Sequence, residues 1–212
     1  MLLTIGHSNH SWERFLDPLA RHGVRVLADI RRVPRSGRNP QFSGRELARA
    51  LAGAGIAYRH FPGLGGMREP APDSPNTAVL DAVFRGYADH MSTGLFARSL
   101  GELLDLAARD PVAAMCAEAD PADCHRSYLA DAAAARGAEV THILANGGLR
   151  AHALSPLARI DGGSITYPGL FWRSKAKHAS GTLPSQKVDA SGVVTTRRLS
   201  MVTVDPTDTI TK

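Results

Sequence analysis

The sequence predicts a three-layer α/β fold, in which helices cover both faces of a mainly parallel sheet of about five strands. Short apolar, β-branched runs alternate along the chain with segments whose large apolar residues recur at helical spacing. Parallel neighbours cannot be joined by a tight turn, so the helical segments must serve as the crossovers between them. No internal repeat of solenoid length is present.

The first half of the domain supplies three strands and two helices. The strands are the runs 2–6, 24–30 and 56–61, and the helices are 12–23 and 43–55. Ser43 and Glu46 have the spacing of a capping box, which favours a helix that begins after Ser43. Residues 62–76 contain too many Pro and Gly for regular structure, although their GLGG turn could bind a ligand with its backbone amides.

The second half of the domain supplies the remaining strands and helices. Two helices are predicted over 77–91 and 95–109, then a strand over 111–117, a helix over 121–136 and a strand over 139–144. Asp120 stands where an N-cap belongs, Pro121 occupies the first helical position, and Gly137 ends the helix. His142 lies inside the last strand, so we expect a core histidine there rather than a base.

Three regions are predicted along the chain. Residues 1–155 form the α/β domain, and residues 156–178 form an extension that docks on it. The extension has four large anchors, namely Tyr167, Leu170, Phe171 and Trp172. Residues 179–212 are dominated by Ser, Thr, Gly and Pro, with too few large apolar residues to offset the entropy of ordering, so we expect a weakly ordered tail.

The composition predicts a cytoplasmic protein with no membrane span. No apolar run approaches the roughly 18 residues that a span needs, and the start MLLTIGHSNH lacks the features of a signal peptide. The two cysteines are too few for a secreted disulfide scaffold. They are better interpreted as thiols, metal ligands or a redox pair, and the oligomeric state is left open.

Positive charge is concentrated in one segment. The segment from Arg25 to Arg49 contains seven arginines and only two acidic residues, Asp29 and Glu46. Residues 50–172, by contrast, contain nine basic and thirteen acidic residues. Such a segment suits an anionic partner, either a small molecule or a nucleic acid, or it is simply a solvated surface. We assign Arg32, Arg35 and Arg38 to the surface, while Arg31 is closest to the end of a strand.

Polar, titratable residues follow the ends of four predicted strands. They are His7, Ser8 and Asn9; Asp29 and Arg31; His60 and the GLGG turn; and Cys116 and Glu118. Ligands bind outside the carboxyl ends of strands in an open parallel sheet, so these residues mark the candidate site. The helix dipole and Arg126 should favour the thiolate of Cys116, with Cys124 and His125 on the first turns of the same helix.

Several chemistries fit the cysteine segment MCAEADPADCHR. A cysteine phosphatase needs Cys five residues before Arg, and the cysteines here stand ten and two before Arg126, so that spacing fails. A zinc deaminase would need His125 or His7 to replace a missing second cysteine. A zinc site or a redox-active disulfide between Cys116 and Cys124 also stays open, as does a purely apolar role for Cys116.

Five motifs resemble, in the same order, the bacterial and archaeal family catalogued as a domain of unknown function, DUF488. They are TIGHS at 4–8, DIRRVPRS at 29–36, NPQF at 39–42, GIAYRHFPGLGG at 55–66 and MCAEADPADCHR at 115–126. The resemblance covers roughly residues 2–150. It implies a small, cytoplasmic α/β protein whose motif positions are the polar strand-exit residues, and it implies no reaction.

The leading hypothesis is an enzyme of open reaction class with a pocket at the carboxyl edge of the sheet and an anionic, nucleotide- or nucleic-acid-derived substrate. The catalytic candidates are Cys116, Glu118, Cys124, His125 and Asp29. The substrate-binding candidates are His7, Ser8, Arg31, His60, Gly65, Gly66 and Arg126. The cofactor is left open; for a divalent metal the candidate ligands are Cys116, Cys124 and His125. The alternatives are a non-catalytic nucleic-acid-binding module and a metal-binding domain.

Overall fold

The computed structural model describes residues 1–169 and the backbone of two short strands beyond them. The chain divides into two compact units, Met1–Arg173 and Ser174–Lys212. The helices of the first unit are α1 (Trp12–Arg21), α2 (Gly44–Gly53), α3 (Ala82–His90), α4 (Gly94–Arg109) and α5 (Arg126–Ala135). Its strands are β1 (Leu2–Gly6), β2 (Val26–Asp29), β3 (Ala57–His60), β4 (Val112–Cys116), β5 (Val140–Ile143), β6 (Leu149–Ala151), β7 (Arg159–Asp161) and β8 (Ser164–Thr166). In the second unit, β9 (Gln186–Val188) pairs antiparallel with β10 (Val194–Thr196).

Six strands form one sheet in the order β3-β2-β4-β1-β5-β6. The first five in this order are parallel, and β6 runs antiparallel to β5. The predicted three-layer α/β class is therefore confirmed, with one strand more than expected. A separate antiparallel pair, β7 and β8, turns at Gly162 and Gly163, both of which have positive φ as the tight hairpin turn requires.

Alternating side chains of the strands divide the core into two layers. Val112, Ala114 and Cys116 of β4 pack on the face covered by α3, α4 and α5, whereas Ala113 and Met115 pack on the face covered by α1 and α2. This alternation follows from the two-residue period of a strand. It directs the Cys116 side chain toward α5, which begins directly above the carboxyl end of β4.

The topology opens a crevice at the carboxyl ends of β1 and β4. The chain leaves β1 for α1 on one face of the sheet and leaves β4 for α5 on the opposite face. Where neighbouring strands send their connections to opposite faces, the loops separate and leave room for a ligand. The polar residues that follow β1 and β4 lie at this place.

Two local expectations are wrong. The predicted helix over 121–136 begins only at Arg126, because Pro121–Asp123 forms a 3₁₀ turn and Cys124 is extended (φ −139°, ψ 143°). Asp120 still caps, but it caps the 3₁₀ turn by accepting from Ala122 N at 2.9 Å. Ser43 precedes α2 without capping it, since its hydroxyl contacts the Ser36 amide at 3.3 Å.

A buried polar chain connects β1, β5 and α5. Thr4 Oγ1 lies 2.7 Å from His142 Nδ1, His142 Nε2 lies 3.0 Å from His152 Nδ1, and His152 Nε2 lies 2.8 Å from Asp131 Oδ1. Asp131 also accepts from the Tyr167 hydroxyl at 2.8 Å. His142 is thus a core histidine, as expected.

The structure describes only part of the predicted extension and of the predicted tail. Of the four anchors, Tyr167 is buried, and Leu170, Phe171 and Trp172 lie outside the described residues. The predicted tail 179–212 also lies outside them, apart from the β9 and β10 backbone. None of the described helices combines the length and apolar character needed to cross a bilayer.

Candidate functional site

The corner between β4 and α5 brings three metal-ligating side chains together. Because Cys124 is extended and His125 precedes the helix, both side chains turn back toward the end of β4. His125 Nδ1 lies 3.5 Å from Cys116 Sγ and 3.9 Å from Cys124 Sγ. These three atoms all lie within 4.8 Å of one another. We call Cys116, Cys124 and His125 the thiol–imidazole cluster.

The tautomer of His125 follows from its other ring nitrogen. Nε2 lies 3.2 Å from the main-chain oxygen of Ile30, which can only accept, so Nε2 carries the proton. Nδ1 faces the two sulfurs: without a proton it presents a lone pair to them, and with one it donates to a thiolate. The Tyr87 ring contacts the imidazole edge-to-face at 4.9 Å between centroids, which fixes the ring on its second side.

The two thiols have opposite pKa shifts. The contact with Cys124 and burial raise the pKa of Cys116 well above its ordinary value. Burial also acts to raise the pKa of Cys124, but hydrogen bonds from Cys116 and His125 outweigh it and lower that pKa to about 6. The main-chain N–H of Arg126 donates to Cys124 Sγ at 3.5 Å. These contacts favour the thiolate at Cys124, whereas the sequence predicted it at Cys116.

Glu118 extends the cluster toward solvent. Cys116 Sγ donates to Glu118 Oε2 at 3.2 Å, and the carboxylate is otherwise exposed. Partial burial opposes ionisation, but hydrogen bonding from Cys116 outweighs it and lowers the pKa of Glu118 below its ordinary value. A sulfur and an ionised carboxylate thus stand side by side at the end of β4.

Arg126 stabilises the loop between β4 and α5 through hydrogen bonds to its main chain. Its side chain is fully buried and donates to the main-chain oxygens of Glu118 at 2.6 Å and Ala119 at 2.7 Å. A Cβ atom on Gly6 would stand 1.7 Å from the same Glu118 oxygen, so the corner requires glycine at this point of β1. In this structure Arg126 therefore holds the loop, and its role in binding an anion stays a prediction.

A buried network lies beneath the site, around the Asp29 carboxylate. Arg31 donates to Asp29 through Nε at 2.9 Å and Nη2 at 2.6 Å, and Tyr58 donates to the same carboxylate at 2.8 Å. Arg31 Nη1 lies 3.2 Å from Nε2 of His7, whose Nδ1 donates to Ser8 O at 2.8 Å. Burial lowers the pKa of His7. Both oxygens of Asp29 accept hydrogen bonds that position Arg31 and Tyr58, and the catalytic role of Asp29 stays a prediction.

The other substrate-binding candidates, His60, Ser8, Gly65 and Gly66, lie at the end of β3 or in the loops that follow β1 and β3. His60 donates to the Arg31 main-chain oxygen at 2.9 Å, and Ser8 adopts positive φ (45°) at the exit of β1. The amide of Gly65 donates to Pro62 O at 3.1 Å, so it is not free for a ligand. A Cβ at Gly65 would stand 2.4 Å from Arg32 Cα, and one at Gly66 would stand 2.8 Å from His125 Nδ1. These glycines therefore allow close approach of side chain and backbone.

A cavity of about 510 Å³ opens over the cluster. Its lining comes from the corner after β4, with Cys116, Ala117, Glu118 and His125, and from the loops after β2 and β3, with Arg31, Arg32, Val33, Arg35, Gly66 and Met67. Arg32, Val33, Arg35, Met67 and Ala117 are not among the sequence candidates. Arg32 and Arg35 were assigned to the surface; they are exposed, and they also line this cavity. Their position two to five residues after a strand exit is the signal that could have found them.

Two further cavities adjoin the first through shared residues. A cavity of about 570 Å³ is lined by His7, Ser8, Asn9, Arg35, Ser36, Gly37, Arg38, Asn39, Ala117 and Glu118. A smaller one of about 190 Å³ contacts Cys124, His125 and Glu118 from the other side. Glu118 lines all three cavities, so it occupies the centre of the site.

Comparison with protein families now adds to this geometry. The family model described as a domain of unknown function, DUF488, matches residues 11–133, more than half of the chain. The chain belongs to the DUF488 family. The DUF488 match includes the Asp29, Arg31, His60 and Cys116–Arg126 segments, and it leaves out the TIGHS motif at 4–8. Comparisons with curated proteins and with solved structures give no match.

Proposed function

We propose that this DUF488 protein is an enzyme that acts on an anionic, nucleotide- or nucleic-acid-derived substrate in the 510 Å³ cavity. One observation carries the proposal. A cavity of a size that accepts small ligands is lined by a thiol, an imidazole and a carboxylate together with arginine side chains. Reactive groups and anion-binding groups rarely share one concave surface without a ligand to act on.

The arginine wall supports an anionic substrate. Arg32 and Arg35 are exposed, and neither forms a salt bridge within residues 1–169. Arg32 uses one guanidinium nitrogen on Met67 O at 3.0 Å, which orients the group and leaves other donors free. Guanidinium groups bind phosphate and carboxylate through paired N–H donors. A phosphate in this cavity could therefore bind Arg32 or Arg35 while lying close to Cys116 and His125, which line the same cavity.

The corner after β4 supports chemistry on that substrate. Cys116 and Glu118 line the cavity, and the Cys116 thiol contacts both the Glu118 carboxylate and the His125 imidazole. Glu118 is ionised at neutral pH and reaches solvent, so it serves as the group that accepts or returns a proton. Because both cysteines are free thiols, the cytoplasm is the compartment that we propose.

Binding of labelled anions tests the proposal. Fluorescence anisotropy of a labelled nucleoside triphosphate and a labelled single-stranded oligonucleotide should show binding that weakens at least about tenfold in Arg32→Ala and Arg35→Ala, the worth of one charge-assisted hydrogen bond. Arg49→Ala is the matched control, since Arg49 is exposed and pairs with Glu46 on α2, outside the cavity. Unchanged affinity of both probes in both cavity variants would contradict the proposal.

Turnover is measured with the same substrates. Mass spectrometry of unlabelled nucleotides and short oligonucleotides after incubation should show a product that is lost in Cys116→Ala and Glu118→Gln. Thermal unfolding of each variant verifies that it is folded. Variants that bind the anion but form no product place Cys116 and Glu118 in catalysis, whereas full turnover by both variants would remove them from it.

The second cavity favours one other function, a non-catalytic nucleic-acid-binding module. Arg35 and Arg38 line it together with Ser8, Asn9 and Asn39, and it contains no thiol. Such a module predicts oligonucleotide binding with a steep salt dependence that survives alkylation of Cys116 and Cys124. For the enzyme, alkylation should abolish turnover.

A further inference from the structure

We propose that Cys116, Cys124 and His125 bind one divalent transition-metal ion, with Zn²⁺ the best fit, and that the fourth coordination position opens to the cavity beside Glu118. This inference rests on the proposed function, because the open position is where an anionic substrate would meet the metal. It assigns a metal cofactor to the DUF488 domain of this chain and gives the thiol–imidazole cluster a ligand role.

The two sulfur–nitrogen separations match those of a tetrahedral site, and the two sulfurs lie within 4.8 Å of each other. With Zn–S bonds of about 2.3 Å and a Zn–N bond of about 2.0 to 2.1 Å, tetrahedral angles require sulfur–nitrogen separations of roughly 3.6 Å. The two observed separations, 3.5 Å and 3.9 Å, lie on either side of that value. Small side-chain rotations would therefore bring all three donors onto one ion.

Hydrogen bonds outside the cluster prepare its donors for a metal. Metal-bound histidines typically donate their second ring N–H to a carbonyl or carboxylate, and His125 Nε2 does so to Ile30 O at 3.2 Å. The main-chain N–H of Arg126 is directed to Cys124 Sγ at 3.5 Å, which stabilises a thiolate there. The donor set of two thiolates and an imidazole selects zinc or a similar ion over Mg²⁺ or Ca²⁺, which prefer oxygen.

Three protein ligands leave the fourth position for water or substrate. Structural zinc sites are closed by four protein ligands, whereas catalytic sites are formed by three. Cys116 and His125 line the 510 Å³ cavity, and Cys124 and His125 line the 190 Å³ cavity next to it, so the ion would lie between the two cavities. Glu118 lines both cavities and lies 3.2 Å from Cys116 Sγ, close enough to contact a water molecule at the open position.

Cobalt substitution tests the metal site directly. The tag-free full-length chain, stripped with a chelator and titrated with Co²⁺ under reducing, anaerobic conditions, should bind one ion per chain. Sulfur-to-cobalt charge-transfer absorption and the intense d–d bands of a tetrahedral ion should appear together. Cys116→Ser and Cys124→Ser should each reduce the charge-transfer band, and Zn²⁺ should displace the cobalt. His10→Ala, on the connection before α1 and outside the cluster, is the matched control and should retain both bands.

A second measurement needs no variant. In the wild-type chain, Zn²⁺ should protect Cys116 and Cys124 from iodoacetamide, and a chelator should restore alkylation, with the sites identified by peptide mass spectrometry. Alkylation at equal rates with and without Zn²⁺, or a charge-transfer band that persists in a folded Cys116→Ser/Cys124→Ser variant, would overturn the inference. Anion binding by the stripped protein is measured separately. If it persists while metal binding fails, only the metal site is wrong; if metal binds and no anion does, the proposed function is wrong.

Discussion

A Cβ atom on Gly66 would lie 2.8 Å from Nδ1 of His125, closer than a Cβ atom approaches another heavy atom in folded proteins. The glycine turn after β3 therefore leaves the room that the imidazole occupies. Since the same nitrogen contacts both cysteines, the loop after β3 and the corner after β4 are matched to each other. This contact, rather than a ligand bound by backbone amides, accounts for glycine at residue 66.

The first prediction concerns this contact. Gly66→Ala should displace His125 and weaken Co²⁺ binding at least tenfold, with loss of turnover, because the Cβ meets the rigidly held ring. Gly101→Ala is the matched control: a Cβ there meets nothing within 4 Å on helix α4, and the change should stabilise the protein by roughly 0.5–1 kcal/mol. Cobalt absorption and thermal unfolding measure the two effects. Full cobalt affinity in Gly66→Ala would show that His125 is not held as described.

The second prediction concerns Arg126. Replacement by Met should remove the hydrogen bonds to Glu118 O and Ala119 O and lower the free energy of unfolding by about 1–3 kcal/mol. Arg109→Met, at the exposed end of α4, should change it by less than about 0.5 kcal/mol. Denaturant unfolding gives both values. If Arg126→Met abolishes anion binding without a loss of stability, the guanidinium binds the ligand after all.

The third prediction concerns the Asp29–Arg31 pair. Asp29→Asn keeps the shape of the side chain but leaves the Arg31 charge buried without its partner, so unfolding should become easier by about 3–5 kcal/mol. Asp17→Asn, in an exposed pair with Arg21, should cost no more than about 1 kcal/mol. Chemical denaturation of the two variants compares them. An Asp29→Asn protein that is as stable as the wild type but inactive would instead support the predicted catalytic role of Asp29.

The fourth prediction is a loss of stability in mild acid through His142. Burial, with the neighbouring His152, lowers the pKa of His142 from 6.5 to about 4. Between these two pH values the unfolded chain binds a proton at this histidine and the folded chain does not. The free energy of unfolding should therefore fall as the pH drops from about 6.5 toward 4, by roughly 3 kcal/mol in all. Urea unfolding at a series of pH values measures the slope. His142→Asn is the comparison; an equal slope in that variant would assign the titration to another group.

The periodicity of the sequence predicted the elements that bury apolar side chains. Strands β1 to β5 and helices α1 to α5 lie within the predicted segments or within a few residues of them. Strand β6 escaped prediction because Leu149–Ala151 is short and exposed, so no apolar pattern marks it. The late start of α5 escaped because a 3₁₀ turn and an α-helix share the same N-terminal signals, Asp followed by Pro.

The position of the candidate site could be predicted from the sequence, but most of the contacts within it could not. Parallel strands end at one edge of a sheet, so Cys116 and Glu118 could be placed at that edge from sequence order alone. That Arg126 binds the main-chain oxygens of Glu118 and Ala119 could not be predicted, because main-chain acceptors leave no pattern in the sequence. The contacts of Tyr58 with Asp29 and of Arg31 with Phe42 O could not be predicted either, because they join separate elements. Arg32 and Arg35 were missed, since exposure and cavity lining cannot be told apart without the rest of the lining.

The sequence by itself determined that strands alternate with helices in a DUF488-type α/β domain and that polar residues collect at the strand exits. These properties are local or periodic, and the order of residues carries them. The tertiary structure alone decided that the local hydrogen bonds favour the thiolate at Cys124 over Cys116, that Arg126 binds the loop, and that His125 directs Nδ1 at both sulfurs. Those outcomes depend on burial and on hydrogen-bond partners up to 95 residues apart, which only the folded chain brings into contact.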